Sequence, residues 1–149
     1  MPALAIADFR QDFAAPFGKI PRSANIIIAA DNSYTLYVNG KLIGNGDNFK
    51  QSQSYCVDLL SGCNNIFAVA VQNQEGPAAL ITAIEVTYDD GTSTTIVSDG
   101  SWRANSETAG FESVDFDDSA WPYAVVVGNT VDSPPWGGTS LPPSSSVCV

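Results

Sequence analysis

The chain has no histidine among its 149 residues. That absence removes Ser-His-Asp and Cys-His catalysis, histidine-ligated zinc and imidazole acid–base chemistry together. Cations are also scarce. Lys19, Lys41, Lys50, Arg10, Arg22 and Arg103 are the six basic side chains, scattered against 16 acidic ones, for a formal charge of -10. Nucleic acid and anionic membrane surfaces both require a cationic face to displace counterions, so nucleic-acid binding is excluded. No apolar run approaches the ~20 residues that span a bilayer, and no membrane insertion is expected. Met1 to Arg10 has neither the cationic n-region nor the apolar h-region of a signal peptide, and no Asn-x-Ser/Thr sequon occurs. The compartment stays open; the acidic, lysine-poor surface leans towards a fungal or bacterial extracellular setting.

What is present suits one domain with a true core. A chain of ~150 residues hides roughly 68–70% of its unfolded surface, and 44% of the residues are hydrophobic against 15% charged. The three cysteines are an odd set. Cys56 and Cys63 flank Val57-Asp-Leu-Leu-Ser-Gly62 and could close a disulfide if the chain turns at Ser61-Gly62, leaving Cys148 over; three reduced thiols are the alternative.

The punctuation is all-β. Asn25–Ala30 is a β-branched run ended by the turn residues Asp31-Asn32-Ser33. Tyr34–Val38 alternates towards Asn39-Gly40, the residue pair of a type I′ hairpin, and Lys41–Gly44 follows. Asn65–Asn73 is apolar almost throughout, as in a strand covered on both faces at its middle. In Ala79–Tyr88, Leu80, Thr82, Ile84, Val86 and Tyr88 share one face, while Ile81, Ala83, Glu85 and Thr87 share the other. Asp89-Asp90-Gly91 turns into a strand over Thr92–Ser98, and short strands follow at Ser101–Ala104 and Tyr123–Gly128. About eight strands without a convincing helix need a second sheet to cover their apolar faces. The expected fold is therefore a two-sheet antiparallel jelly-roll β-sandwich over residues 1–138, followed by a Pro/Ser-rich tail over 139–149.

Three stretches in this order carry a resemblance. They are Ala30-Asp-Asn-Ser-Tyr-Thr-Leu-Tyr-Val-Asn-Gly40, then Asp90-Gly-Thr with Val97-Ser-Asp-Gly-Ser-Trp-Arg103, then Phe111-Glu-Ser-Val-Asp-Phe-Asp-Asp-Ser-Ala-Trp121. With the Asn65–Asn73 strand and Pro135-Trp-Gly137, they resemble the galactose-binding-like β-sandwich that precedes the catalytic domain of family 2 glycosidases and bacterial α-L-rhamnosidases. The resemblance spans roughly Phe9 to Gly138 and implies a stand-alone, lectin-like form, since no catalytic domain follows in this chain. It is more specific for the fold than for a ligand. Trp102 is expected to plug the sandwich. The Asp117-Asp118-Ser119 turn is expected to hold Trp121 against the core.

A sugar site needs an apolar face for the ring and planar polar groups for its hydroxyls, gathered on loops at one end of a sandwich. Three loops offer them: Gly44–Gln51 with Asn45, Asp47, Asn48 and Phe49; Asn73–Pro77 with Asn73 and Glu75; and Asn105–Glu112 with Phe111 and Glu112. These eight residues are the expected carbohydrate contacts. Catalysis is not expected. Asp89-Asp90 and Asp117-Asp118 sit in turns, not as a pair ~5–9.5 Å apart across a cleft, although a cross-loop pair such as Glu75 with Glu112 stays open. Asp31, Asp47, Asp115 and Asp117 are hard ligands that leave a structural calcium open, but no spaced ligand motif occurs, and turn capping explains them as well. No cofactor or metal ligand set is assigned. Weak single sites would favour a homo-oligomer. The competing expectations are a structural or protein-interaction module on the same fold, or an accessory chain of a glycosidase.

Overall fold

β-Branched and aromatic runs between turn residues build nine strands: β1 (Ala5–Phe13), β2 (Pro21–Asp31), β3 (Ser33–Val38), β4 (Lys41–Gly46), β5 (Gln53–Asp58), β6 (Asn65–Asn73), β7 (Ala79–Tyr88), β8 (Ser93–Val97) and β9 (Arg103–Ser106). The structure is a computed structural model and describes residues 5–31, 33–46, 53–62, 64–73 and 79–124. It has two antiparallel sheets, ordered β4-β3-β6-β1-β9 and β5-β2-β7-β8, and no helix among the described residues. The all-β sandwich expected from the pattern is the fold observed.

Period-two alternation decides which side chains meet between the sheets. Ile26 and Ile28 of β2 and Ile84, Val86 and Tyr88 of β7 face Leu36 and Val38 of β3 and Phe67, Val69 and Val71 of β6. Trp102, 1% exposed, plugs this core as expected, and its indole N–H donates to the Val97 carbonyl at 3.0 Å. The β7 faces divide as the sequence predicts, except that Ile81 is buried too. Asn39 (φ 53°) and Gly40 (φ 82°) form the left-handed pair of the β3–β4 hairpin. The Asn39 side chain accepts from the Ile66 N–H and donates to Asn65 Oδ1, both at 2.8 Å, which staples the hairpin to β6.

Two strands, β1 and β5, are not among those read from the pattern. In β1, Asp8 and Arg10 break the apolar run, yet both are buried under later chain. Strand β5 is a polar edge strand whose exposed residues alternate with half-buried ones. The strand expected at Ser101–Ala104 begins later, because Ser101 is held in a turn by its N–H bond to Asp99 Oδ1 (2.8 Å). From the strand expected at Tyr123–Gly128, Tyr123 makes an isolated bridge to Arg103; the positions after 124, including Trp136 and the tail 139–149, lie outside the described residues.

The registers fix the two ends of the sandwich. Tyr34 pairs Gly46, Ser33 pairs Gln72, Asp31 pairs Ala79 and Ile28 pairs Gln53, so the β2–β3, β4–β5 and β6–β7 crossings leave from one end. The β3–β4 and β7–β8 hairpins and the β1–β2 and β5–β6 crossings lie at the other.

Candidate functional site

The eight expected contacts do not form one group. Asn45 is exposed near the end of β4 and Asn73 closes β6, so the strand ends that carry the first two polar loops share the crossing end. They stand two strands apart in the five-stranded sheet, roughly 10 Å at normal strand spacing. Asp47, Asn48, Phe49 and Glu75 lie outside the described residues. Phe111 and Glu112 are elsewhere. They belong to a segment, 107–121, that lies over the outer face of the five-stranded sheet, and the Glu112 carbonyl comes within 3.8 Å of where a Cβ on Gly40 would be, by the hairpin at the opposite end.

That segment is bound by side chains of β1. Arg10, 2% exposed, donates through Nε to the Phe111 carbonyl (2.8 Å), through Nη2 to the Ser113 carbonyl (2.9 Å) and through Nη1 to Asp118 Oδ2 (2.6 Å). Asp8 Oδ2 accepts the Thr108 N–H at 2.7 Å. Phe111 stacks on Trp121 with centroids 6.5 Å apart, Phe116 meets the Trp121 edge at 5.3 Å, and Ala68 lies in the same cluster. So the expected burial of Trp121 is correct, but against the sheet's outer face and not between the sheets. Phe111, 6% exposed, is turned inward, a placement that serves packing and offers no open platform. Burial pushes the Asp8 carboxyl up to about 6, with the charges of Glu107 and Glu112 adding to the rise and the Thr108 bond opposing it. Glu112 Oε2 is buried without a hydrogen-bond partner among the described residues.

At the crossing end the structure adds residues that the sequence did not single out. Tyr34 reaches out of the core and its hydroxyl meets both Gln53 Oε1 and, at 2.9 Å, the Tyr55 hydroxyl. The Tyr55 hydroxyl in turn lies 3.3 Å from the Asn45 carbonyl and 3.3 Å from Gln53 Oε1. Burial, then the neighbouring Tyr55, raises the Tyr34 phenol well above its ordinary range, so it stays a protonated donor. Strand β4 lies directly on this group. A Cβ on Gly44 would fall 2.5 Å from the Tyr55 ring, and one on Gly46 would fall 2.6 Å from the Tyr34 ring. The signal was present in the sequence as two glycines two apart, opposite a Gln-x-Tyr pair two apart, each pair therefore sharing a strand face.

Cation ligands are less developed. Asp115 and Asp117 are exposed, and Asp117 is held below the usual carboxylate range by hydrogen bonds from the Ser119 hydroxyl and N–H. The Asp31 side chain and Asp47 lie outside the described residues, and among the described residues no three carboxylate or cysteine groups are arranged to hold a metal. Cys56 is disulfide-bonded; Cys63 and Cys148 lie outside the described residues. No helix among the described residues is long and apolar enough to cross a membrane.

No family model matches the chain. It is 32% identical over 124 residues to an α-L-rhamnosidase of Streptomyces avermitilis, an alignment covering 76% of this chain and 12% of that enzyme. Among solved structures, a lectin of Pleurotus ostreatus superposes with a TM-score of 0.86 at 39% identity, over 94% of this chain and 42% of the lectin. The same lectin has been solved in complex with GalNAc, at 38% identity and a TM-score of 0.85. The Streptomyces avermitilis rhamnosidase, complexed with L-rhamnose, superposes with a TM-score of 0.73 at 30% identity, over 94% of this chain and 14% of the enzyme. The chain thus spans about an eighth of the curated relative and less than half of the lectin. The resemblance to the galactose-binding-like sandwiches of rhamnosidases and their lectin-like form holds in both sequence and fold.

Proposed function

We propose that the chain is a non-catalytic carbohydrate-binding domain, a lectin or lectin-like module that takes sugar hydroxyls at the crossing end of its sandwich. The carrying observation is the likeness to the Pleurotus lectin over nearly the whole chain, a lectin that has been solved with GalNAc bound. The placement of Asn45 and Asn73 supports the crossing end as the place for it. Asn45 is exposed there, the Asp47–Phe49 stretch follows it in sequence, and Asn73 and Glu75 belong to the neighbouring crossing. Phe111 leaves the proposed contact set, because it packs in the layer over the outer face, and Glu112, beside it in the chain, lies by the hairpin at the opposite end. Weak monovalent contacts favour a homo-oligomer in an extracellular setting. A second function has its own support: the chain matches about an eighth of an α-L-rhamnosidase, which favours an accessory chain of a glycosidase.

A glycan array probed with the purified chain, in calcium and again in chelator, tests this. The expected result is a preference for one terminal sugar; loss of signal in chelator would make the aspartates of this end calcium ligands. A blank array in both conditions rejects carbohydrate binding and favours the protein-interaction alternative. Reducing-sugar release by the isolated chain would contradict the non-catalytic part alone.

A further inference from the structure

The polar group at the crossing end has a direction. The oxygen of the Gln53 carboxamide is engaged by the Tyr34 hydroxyl and approached by the Tyr55 hydroxyl, while Nε2 has no hydrogen-bond partner among the described residues. Phenol protons donate well to a carbonyl oxygen, and this network turns the oxygen end of the amide inward and the amino end outward. Gln53 is exposed, and the Tyr55 hydroxyl places it beside the exposed Asn45, because one hydroxyl touches Gln53 Oε1 and the Asn45 carbonyl. The half-buried Tyr55 ring lies between them against Gly44, where a side chain would collide with it. An ordinary surface glutamine lacks such a tether; the oxygen of this one accepts from a phenol.

We propose that Gln53 is a direct sugar contact whose two N–H donors, oriented by the Tyr34 and Tyr55 hydroxyls, bind adjacent hydroxyl oxygens of one pyranose at the rim shared with Asn45. The inference rests on the carbohydrate-binding function above. It adds a donor-only group to a rim otherwise read as amides and carboxylates, and it makes Tyr34 a positioning residue that acts through Gln53. Preorganisation of this kind raises affinity by removing the cost of ordering the amide on binding.

Titration calorimetry in calcium with galactose, N-acetylgalactosamine and L-rhamnose tests it on wild type, Gln53→Glu, Gln53→Met and Tyr34→Phe. Gln53→Glu keeps the shape and the oxygen that the phenols need but removes both N–H donors; Gln53→Met keeps the bulk alone. Both are expected to weaken the best-bound of the three sugars tenfold or more while the melting temperature stays within about 2 °C. Tyr34→Phe, which frees the amide to rotate, is expected to weaken it about threefold. In wild type the Gln53 side-chain amide resonances should shift on sugar addition, which a purely structural glutamine would not show. Undiminished binding by both Gln53 variants overturns the proposal and leaves carbohydrate binding standing. Wild type binding none of the three sugars overturns this inference, and carbohydrate binding then stands or falls with the glycan array.

Discussion

The two faces of the five-stranded sheet are covered by opposite chemistries. Its inner face meets β2 and β7 through isoleucine, valine, phenylalanine and Trp102, with alternation alone deciding the contacts. Its outer face is covered by the 107–121 segment, which lacks strand geometry and is fixed by Arg10 and Asp8 from below and by a Phe111–Phe116–Trp121 cluster from above. Area holds the first face; directed bonds hold the second. An apolar face tolerates change of shape at constant volume, whereas a buried guanidinium tolerates almost none.

That contrast can be broken from either side. Trp102→Ala removes the largest buried side chain of the inner core and leaves a cavity, so denaturant unfolding should show a loss of about 3–5 kcal/mol. Arg10→Ala strips the Phe111 and Ser113 carbonyls and Asp118 of their donor. A loss of about 3 kcal/mol is expected, and Arg10→Lys should recover little of it because one ammonium cannot serve three acceptors in a plane. If Arg10→Ala costs less than 1 kcal/mol, the outer layer is held by its aromatics and the contrast fails.

Asp8 sharpens the comparison through pH. Its folded carboxyl sits near 6 and its unfolded one near 3.8, so the folded state holds the proton more tightly. The sign follows: this contribution is full below about pH 4 and is lost as pH rises through 6, an effect on the order of 2–3 kcal/mol. Melting of wild type should therefore improve between pH 7.5 and 5 relative to Asp8→Asn, whose profile should be flatter in that window. Parallel profiles would show that burial does not penalise this carboxylate. The smallest effect is expected at the exposed Lys19–Asp90 pair (2.6 Å), where Lys19→Ala should shift the melting temperature least of these variants, and less again in high salt.

Sequence pattern made the inner face legible and the outer one only in part. Leu36, Ile84 and Val86 announce themselves by period two, Ile26, Ile28 and Val69 by continuous apolar runs, and Asn39-Gly40 by turn chemistry. Arg10 and Asp8 do not. A charged pair two apart on a strand reads as a solvent face, and only the return of residues 107–121, about a hundred positions later, makes it interior. The burial of Phe111 is hidden for the same reason, since an aromatic in a Gly- and Glu-flanked loop looks exposed until its stacking partner Trp121 is placed. At the crossing end, residue type points to Asn45 and not to Tyr34, Gln53 and Tyr55, whose hydroxyl–amide network forms there. The Gly44/Gly46 and Gln53/Tyr55 spacings place each pair on one strand face, but the meeting of the two pairs depends on two sheets arriving at one rim.

Arg10 also sets a timetable. The ribosome releases it 108 residues ahead of Asp118, its carboxylate partner. Until then β1 carries a cation on a face meant to be covered, and the nascent sheet is water-soluble on that side. The outer face therefore cannot close until Asp118 has been made, whereas the strands that build the inner core all precede it in the chain.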